Sequence, residues 1–166
     1  MSKKFCIELD DKIGSDEVEN IRSLGLDIRE TDDKYQVCGD IDNIKMIDKR
    51  LLTTKCSSYE DDLELDFDIG EFCTELVVGG SLDGRKLKSD IVVSDYLKVG
   101  WDLYLRDTQI TKLPDGLEVG GNLDLRGTQI EELPHGLKVG WHLDLRGTQI
   151  KELPDDLEVS GKIYRF

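Results

Sequence analysis

Basic residues are the first thing in short supply. Twenty-two Lys and Arg stand against 36 Asp and Glu, a formal charge of −14 at pH 7. Affinity for DNA, RNA or an anionic bilayer comes from Lys and Arg neutralising phosphates, so a surface this acidic excludes direct nucleic-acid or membrane binding. It favours a protein partner with a basic surface. Long apolar runs are missing too. No stretch approaches the roughly 18 apolar residues of a membrane span, and acidic residues begin at Glu8, so no signal-peptide core is present and residence in the cytoplasm is expected. Four cysteines occur, Cys6, Cys38, Cys56 and Cys73, none in a Cys-x-x-Cys pair. That spacing argues against a zinc site and predicts free thiols in a reducing compartment.

Catalytic vocabulary is equally sparse. The two histidines, His135 and His142, occupy positions that vary between repeats. There is no Gly-x-Ser-x-Gly elbow, no phosphate loop and no His-Glu-x-x-His. Gly79-Gly80-Ser81-Leu82-Asp83-Gly84 is glycine-rich but lacks the lysine and spacing of a phosphate cradle. The chain reads as a non-enzyme that needs neither metal nor cofactor.

Only three prolines occur, and they lead to what is there: Pro114, Pro134 and Pro154 stand 20 residues apart. Leu103–Asn122 reads LYLRDTQITKLPDGLEVGGN, Leu123–His142 reads LDLRGTQIEELPHGLKVGWH, and Leu143–Lys162 reads LDLRGTQIKELPDDLEVSGK. A 20-residue unit cannot bury its own apolar face, so a strict period means units stacked into a solenoid. An eroded form reaches further back, Leu76-Val77-Val78-Gly79-Gly80-Ser81-Leu82 aligning with Leu117–Leu123. About five turns are expected from residue 63 onward, three of them regular.

Residues 1–58 lack the repeat and read as a small β-α-β-β-α unit. Lys4–Leu9 alternates like a strand, Ser15 is the expected cap of a helix ended by Gly25, and Leu26–Arg29 and Tyr35–Cys38 follow as strands. Asp42 is expected to cap a second helix over Asn43–Leu52, where Ile44, Ile47 and Leu51 share a face. The predicted class is α+β: this unit, then a solenoid over 59–166.

The core pattern Leu-x-Leu-x-x-Thr-x-Ile-x-x-Leu-Pro resembles the leucine-rich repeat family over roughly residues 63–166, closest to the short 20-residue repeats of bacterial and phage-related proteins. The resemblance implies a curved parallel sheet on a concave side, with extended or 3₁₀ structure outside. The family's bridging Asn is replaced by Thr108, Thr128 and Thr148. A hydroxyl has fewer hydrogen-bonding atoms than an amide, which predicts either a weaker ladder between turns or a different curvature.

In Leu-x-Leu strands the leucines point inward and the intervening residues outward. Tyr104/Arg106, Asp124/Arg126, Asp144/Arg146 and Tyr164 are therefore expected in one column, either a self-satisfied Arg–Asp lattice or a docking face rich in Arg and Tyr. Trp101 and Trp141 share one slot, with Gly121 and Gly161 alternating, and are expected to flank a notch about 10 Å wide at the rim of that face. Leu63, Leu65, Phe67 and Ile69 alternate with Glu64, Asp66 and Asp68, so a strand here shows a carboxylate face. That face is either a solvated edge or a contact for a basic groove.

The sequence thus predicts a protein-binding module using the concave face and rim. The alternative is an acidic, phage-type inhibitor that mimics nucleic acid in the groove of a bacterial antiviral-defence nuclease. A further alternative is a self-assembling repeat protein pairing through the edge at Ile163–Phe166.

Overall fold

The computed structural model describes residues 4–9, 13–30, 35–40, 55–59, 63–64, 75–87 and 96–165. Strand β1 (Lys4–Leu9) is followed by helix α1 (Ser15–Ser23), then by β2 (Asp27–Glu30) and β3 (Tyr35–Asp40), with β1 and β2 both antiparallel to β3. The helix cap is Gly14 rather than the expected Ser15. The Gly14 N–H donates to the Glu17 carboxylate at 2.7 Å, and its carbonyl accepts from Glu17 and Val18, so the side-chain cap comes from inside the helix. Gly25, at φ 74°, ends the helix as expected. The second expected helix, Asn43–Leu52, lies outside the described residues.

One expectation is overturned here. Cys6 and Cys38 are not free thiols but form a disulfide. They are direct partners in the β1–β3 register, which brings their Cα atoms to 4.1 Å despite 32 residues of separation. Cys73 and the side chain of Cys56 lie outside the described residues.

The repeats build a parallel β-solenoid of about four turns at a spacing near 20 residues. Each turn gives two short strands. The Leu-x-Val segments form β6 (Glu75–Val78), β8 (Tyr96–Val99), β10 (Glu118–Val119), β12 (Lys138–Val139) and β14 (Glu158–Val159), with β4 (Lys55–Tyr59) ahead of them. The Leu-x-Leu segments form β7 (Leu82–Asp83), β9 (Leu103–Tyr104), β11 (Leu123–Asp124), β13 (Leu143–Asp144) and β15 (Ile163–Tyr164), with β5 (Leu63–Glu64) ahead. An expected fifth turn would draw on residues 65–74, which are outside the described set. β1 pairs antiparallel with β4, so the amino-terminal strands continue the first ladder into one nine-stranded sheet, beside a six-stranded sheet of β5, β7, β9, β11, β13 and β15.

The apolar slots fill the space between the sheets. Leu103, Leu105, Ile110, Leu117, Leu123, Leu125, Ile130, Leu137 and Leu143 are fully buried, and the core runs without a break into Leu9, Ile21, Leu26 and Val37. Burying each such side chain stabilises the fold by about 1.5–3 kcal/mol relative to exposure. In the last turn Ile150, Leu153, Leu157 and Val159 are half-buried and Ile163 is exposed. Gly120 is required by contact: a Cβ there would stand 2.1 Å from the Gly100 carbonyl oxygen.

Candidate interaction surface

The outward residues of the six-stranded sheet stack as the repeat predicts, because each strand pairs in register with its 20-residue equivalent: Asp124 lies beside Tyr104 on one side and Asp144 on the other, and Asp144 beside Tyr164. Within each strand the Asp faces the Arg two residues on. Arg126 holds Asp124 with two bonds, Nε to Oδ1 at 2.8 Å and an Nη to Oδ2 at 2.6 Å. Arg146 holds Asp144 at 2.9 and 2.6 Å. Arg85 holds Asp83 likewise, a pair the sequence reading did not single out. These guanidinium bonds hold the Asp83 and Asp144 carboxyls below the usual carboxylate range. Arg126 also reaches Asp144 at 3.5 Å, which links neighbouring turns.

Arg106 breaks the pattern. Its strand carries Tyr104 where β7, β11 and β13 carry Asp, and among the described residues Arg106 makes no ion pair, although it is exposed. Arg85 instead stands over the Tyr104 ring, 5.7 Å from its centre, as Arg146 stands over Tyr164. The next residue, Asp107, sits at φ 59° in the slot where the following turns use Gly127 and Gly147.

The bridging between turns comes from a slot the sequence reading passed over. Thr108, Thr128 and Thr148 donate their hydroxyls to the carbonyls of Leu105, Leu125 and Leu145 in their own turn. Asp102, Asn122 and His142 bridge instead. Asp102 Oδ1 accepts from the Asn122 N–H at 2.6 Å, Asn122 Oδ1 from the His142 N–H at 3.2 Å, and His142 Nδ1 from the Lys162 N–H at 2.9 Å. Asp115 and Asp156 do similar work outside, accepting from the backbone of His135 and Gly136. Tyr104 donates its hydroxyl to Asp102 Oδ2 at 2.7 Å, and this bond to the neutral phenol pushes its pKa up to about 12.

At the corner between the sheets, one slot reads Gly80, Trp101, Gly121, Trp141, Gly161. Trp101 is 63% exposed and Trp141 60%, the two largest exposed apolar side chains among the described residues. Gly80 and Gly121 are buried, and each precedes an indole by one turn; Gly161, which precedes none among the described residues, is exposed. The two exposed indoles therefore stand two turns apart with a glycine slot between them. On the far side of the corner, the nine-stranded sheet carries Lys98, Glu118, Lys138 and Glu158, with Lys98–Glu118 paired at 2.8 Å and Lys138–Glu158 at 3.7 Å.

The acidic strand is described only at its start. Glu64 is exposed and pairs with Lys86; Asp66 and Asp68 lie outside the described residues. Charge is unevenly spread: residues 96–165 hold twelve acidic and nine basic side chains, a net of −3, so −11 of the −14 belongs to residues 1–95. Among the described residues no His, Cys, Asp or Glu cluster is arranged to hold a metal, and no helix is long and apolar enough to cross a membrane.

No protein-family model, curated protein or solved structure matches the chain.

Proposed function

We propose that the chain is a non-enzymatic module that recognises a protein partner through the outward face of its six-stranded sheet, and that residues 63–166 are a leucine-rich-repeat solenoid of the short 20-residue type. The supporting observation is Arg106. Around it, Asp83–Arg85, Asp124–Arg126 and Asp144–Arg146 are already matched, so their charges contribute little to a new contact. Arg106 is exposed, unmatched among the described residues and two residues from Tyr104, which combines two of the three residue types enriched in interface hot spots. The satisfied pairs around it form a rigid polar rim. A carboxylate or a backbone carbonyl of the partner would complete the guanidinium's hydrogen bonds. The groove-mimicking inhibitor reading rests on Glu64, Asp66 and Asp68; Glu64 is engaged by Lys86, and the other two are outside the described residues, so the six-stranded face carries the stronger case.

The test compares the immobilised wild-type chain with Arg106→Glu and with Tyr104→Ala in nuclease-treated lysate, read by mass spectrometry. A protein held by the wild type and lost with both variants, with the melting temperature unchanged in Arg106→Glu, supports the reading. Retention indifferent to both substitutions removes this face as the site. A mass that rises with concentration in light scattering, and falls in the variants, assigns the face to self-assembly.

A further inference from the structure

Resting on the reading of the chain as a protein-binding module, we infer that the Trp101/Trp141 corner takes a proline-rich, basic-flanked segment of the partner in polyproline II conformation. The argument starts from spacing. Trp101 and Trp141 occupy one slot two turns apart, which is two strand spacings, or about 9.6 Å. A polyproline II chain rises about 3.1 Å per residue with three residues per turn, so residues i and i+3 stand on one side about 9.3 Å apart. A Pro-x-x-Pro segment lying along the solenoid axis thus sets one pyrrolidine ring on each indole. The alternation with Gly80, Gly121 and Gly161 fixes this step. A side chain at 121 would place its Cβ 2.4 Å from Asp102 Oδ1 and 2.9 Å from the Trp101 carbonyl carbon. The slot between the platforms therefore stays bare.

The backbone excludes the commoner mode of peptide capture. Strand addition needs unpaired N–H and C=O groups. Here Trp101 N donates to Gly80 O at 3.1 Å, Gly121 N to Trp101 O at 2.9 Å, Trp141 N to Gly121 O at 3.0 Å, and Gly161 N to Trp141 O at 2.8 Å. A helical ligand needs a broad apolar groove, whereas one neighbouring row is the hydrogen-bonded ladder of Asp102, Asn122 and His142, and on the other side only the glycines Gly100, Gly120 and Gly140 separate the indoles from the ion pairs Lys98–Glu118 and Lys138–Glu158. A polyproline II ligand needs neither edge nor groove. It brings unpaired carbonyls, which the indole N–H groups satisfy, and its rigid backbone loses little entropy on docking. The chain's net charge of −14 favours the basic flank on that segment.

Trp101 and Trp141 are the only tryptophans of the chain, so tryptophan emission, excited beyond the tyrosine absorption band, reports on this site alone. The experiment titrates the full chain with synthetic peptides carrying Pro-x-x-Pro and an Arg/Lys flank, against peptides of the same composition with the prolines respaced to Pro-x-Pro. Saturable emission change with the first set, roughly tenfold weaker for the second set and for Trp101→Ala or Trp141→Ala by calorimetry, is the expected result. Equal binding of both sets, or no saturable change with either, overturns it. If that happens while a protein is still captured in an Arg106-dependent way, only the proline inference falls; if that capture is also lost, the reading beneath it falls as well.

Discussion

The Tyr104 hydroxyl and the Asp102 carboxylate are 2.7 Å apart, and the other oxygen of that carboxylate receives both the backbone and the side-chain N–H of Asn122. One side chain thus ties the outward face of the six-stranded sheet to the next turn of the solenoid. Because the bond favours the neutral phenol, the Tyr104 pKa is raised, mainly by Asp102 and then by burial, to about 12. A group whose folded pKa lies above its unfolded value adds stability in full below pH 10, and that stability is lost as pH rises through about 12. Spectrophotometric titration of the five tyrosines should therefore show one late ionisation, which Asp102→Ala moves down toward 10. A single transition near pH 10 in the wild type would contradict the bond.

Asp107 holds a left-handed conformation, φ 59°, that its equivalents Gly127 and Gly147 adopt freely. For a residue with a Cβ this conformation costs roughly 1–2 kcal/mol, less for Asp than for most. Asp107→Gly should stabilise the chain by up to about 1 kcal/mol in urea unfolding. A destabilisation would mean that the Asp107 carboxylate does structural work that outweighs the strain.

Gly120 and Gly116 should respond differently to the same methyl. At Gly120 the new Cβ meets backbone, 2.1 Å from Gly100 O, with no positive φ involved. The turn would have to open, and Gly120→Ala should cost 3 kcal/mol or more, beyond the ~1–3 kcal/mol typical of overpacking. At Gly116 nothing lies within 4 Å, and only the φ of +68° opposes a side chain. Gly116→Ala should cost about 1–2 kcal/mol. Chemical denaturation of the two variants side by side checks the ranking.

The Cys6–Cys38 bond closes a loop with a sequence separation of 32. On the chain-entropy model such a loop stabilises by about 3–4 kcal/mol. The double replacement Cys6→Ser/Cys38→Ser should lower stability by up to that amount, and because β1 pairs with β4 the loss should spread into the first turns of the solenoid. Hydrogen exchange that quickens in β1 and β3 but leaves β4 and β6 unchanged would show the two parts to be uncoupled.

What the sequence made legible was whatever a fixed period enforces. The inward Leu and Ile, the column of Asp and Arg, and the shared slot of Trp101 and Trp141 all follow from stacking identical lengths of chain. The bridge between turns was hidden because three different residues, Asp102, Asn122 and His142, perform it. What unites them is a planar acceptor aimed at the next backbone N–H, which a search for identical letters does not see. Thr108, Thr128 and Thr148 looked like the bridge because they are identical, yet their short side chains reach only their own turn. The disulfide was illegible for another reason: nothing in a spacing of 32 brings Cys6 to Cys38, and only the antiparallel register of β1 and β3 does. Arg106 stands out only once its neighbours are seen to be paired, since its singularity is a property of Tyr104 two residues earlier.

The near-identity of consecutive copies makes this molecule a ruler graduated in whole turns. Excising Leu103–Asn122 would join Asp102 to Leu123 and leave every inward slot occupied as before, so the ladder could close again one rung shorter. Trp141 would then take the rung next to Trp101, where a side chain meets Asp102 and the Trp101 carbonyl, so the shortened ladder would keep its core but crowd the two indoles. Distances between binding features on such a scaffold can change only in discrete steps, by unequal recombination between copies, while each copy's own packing stays intact.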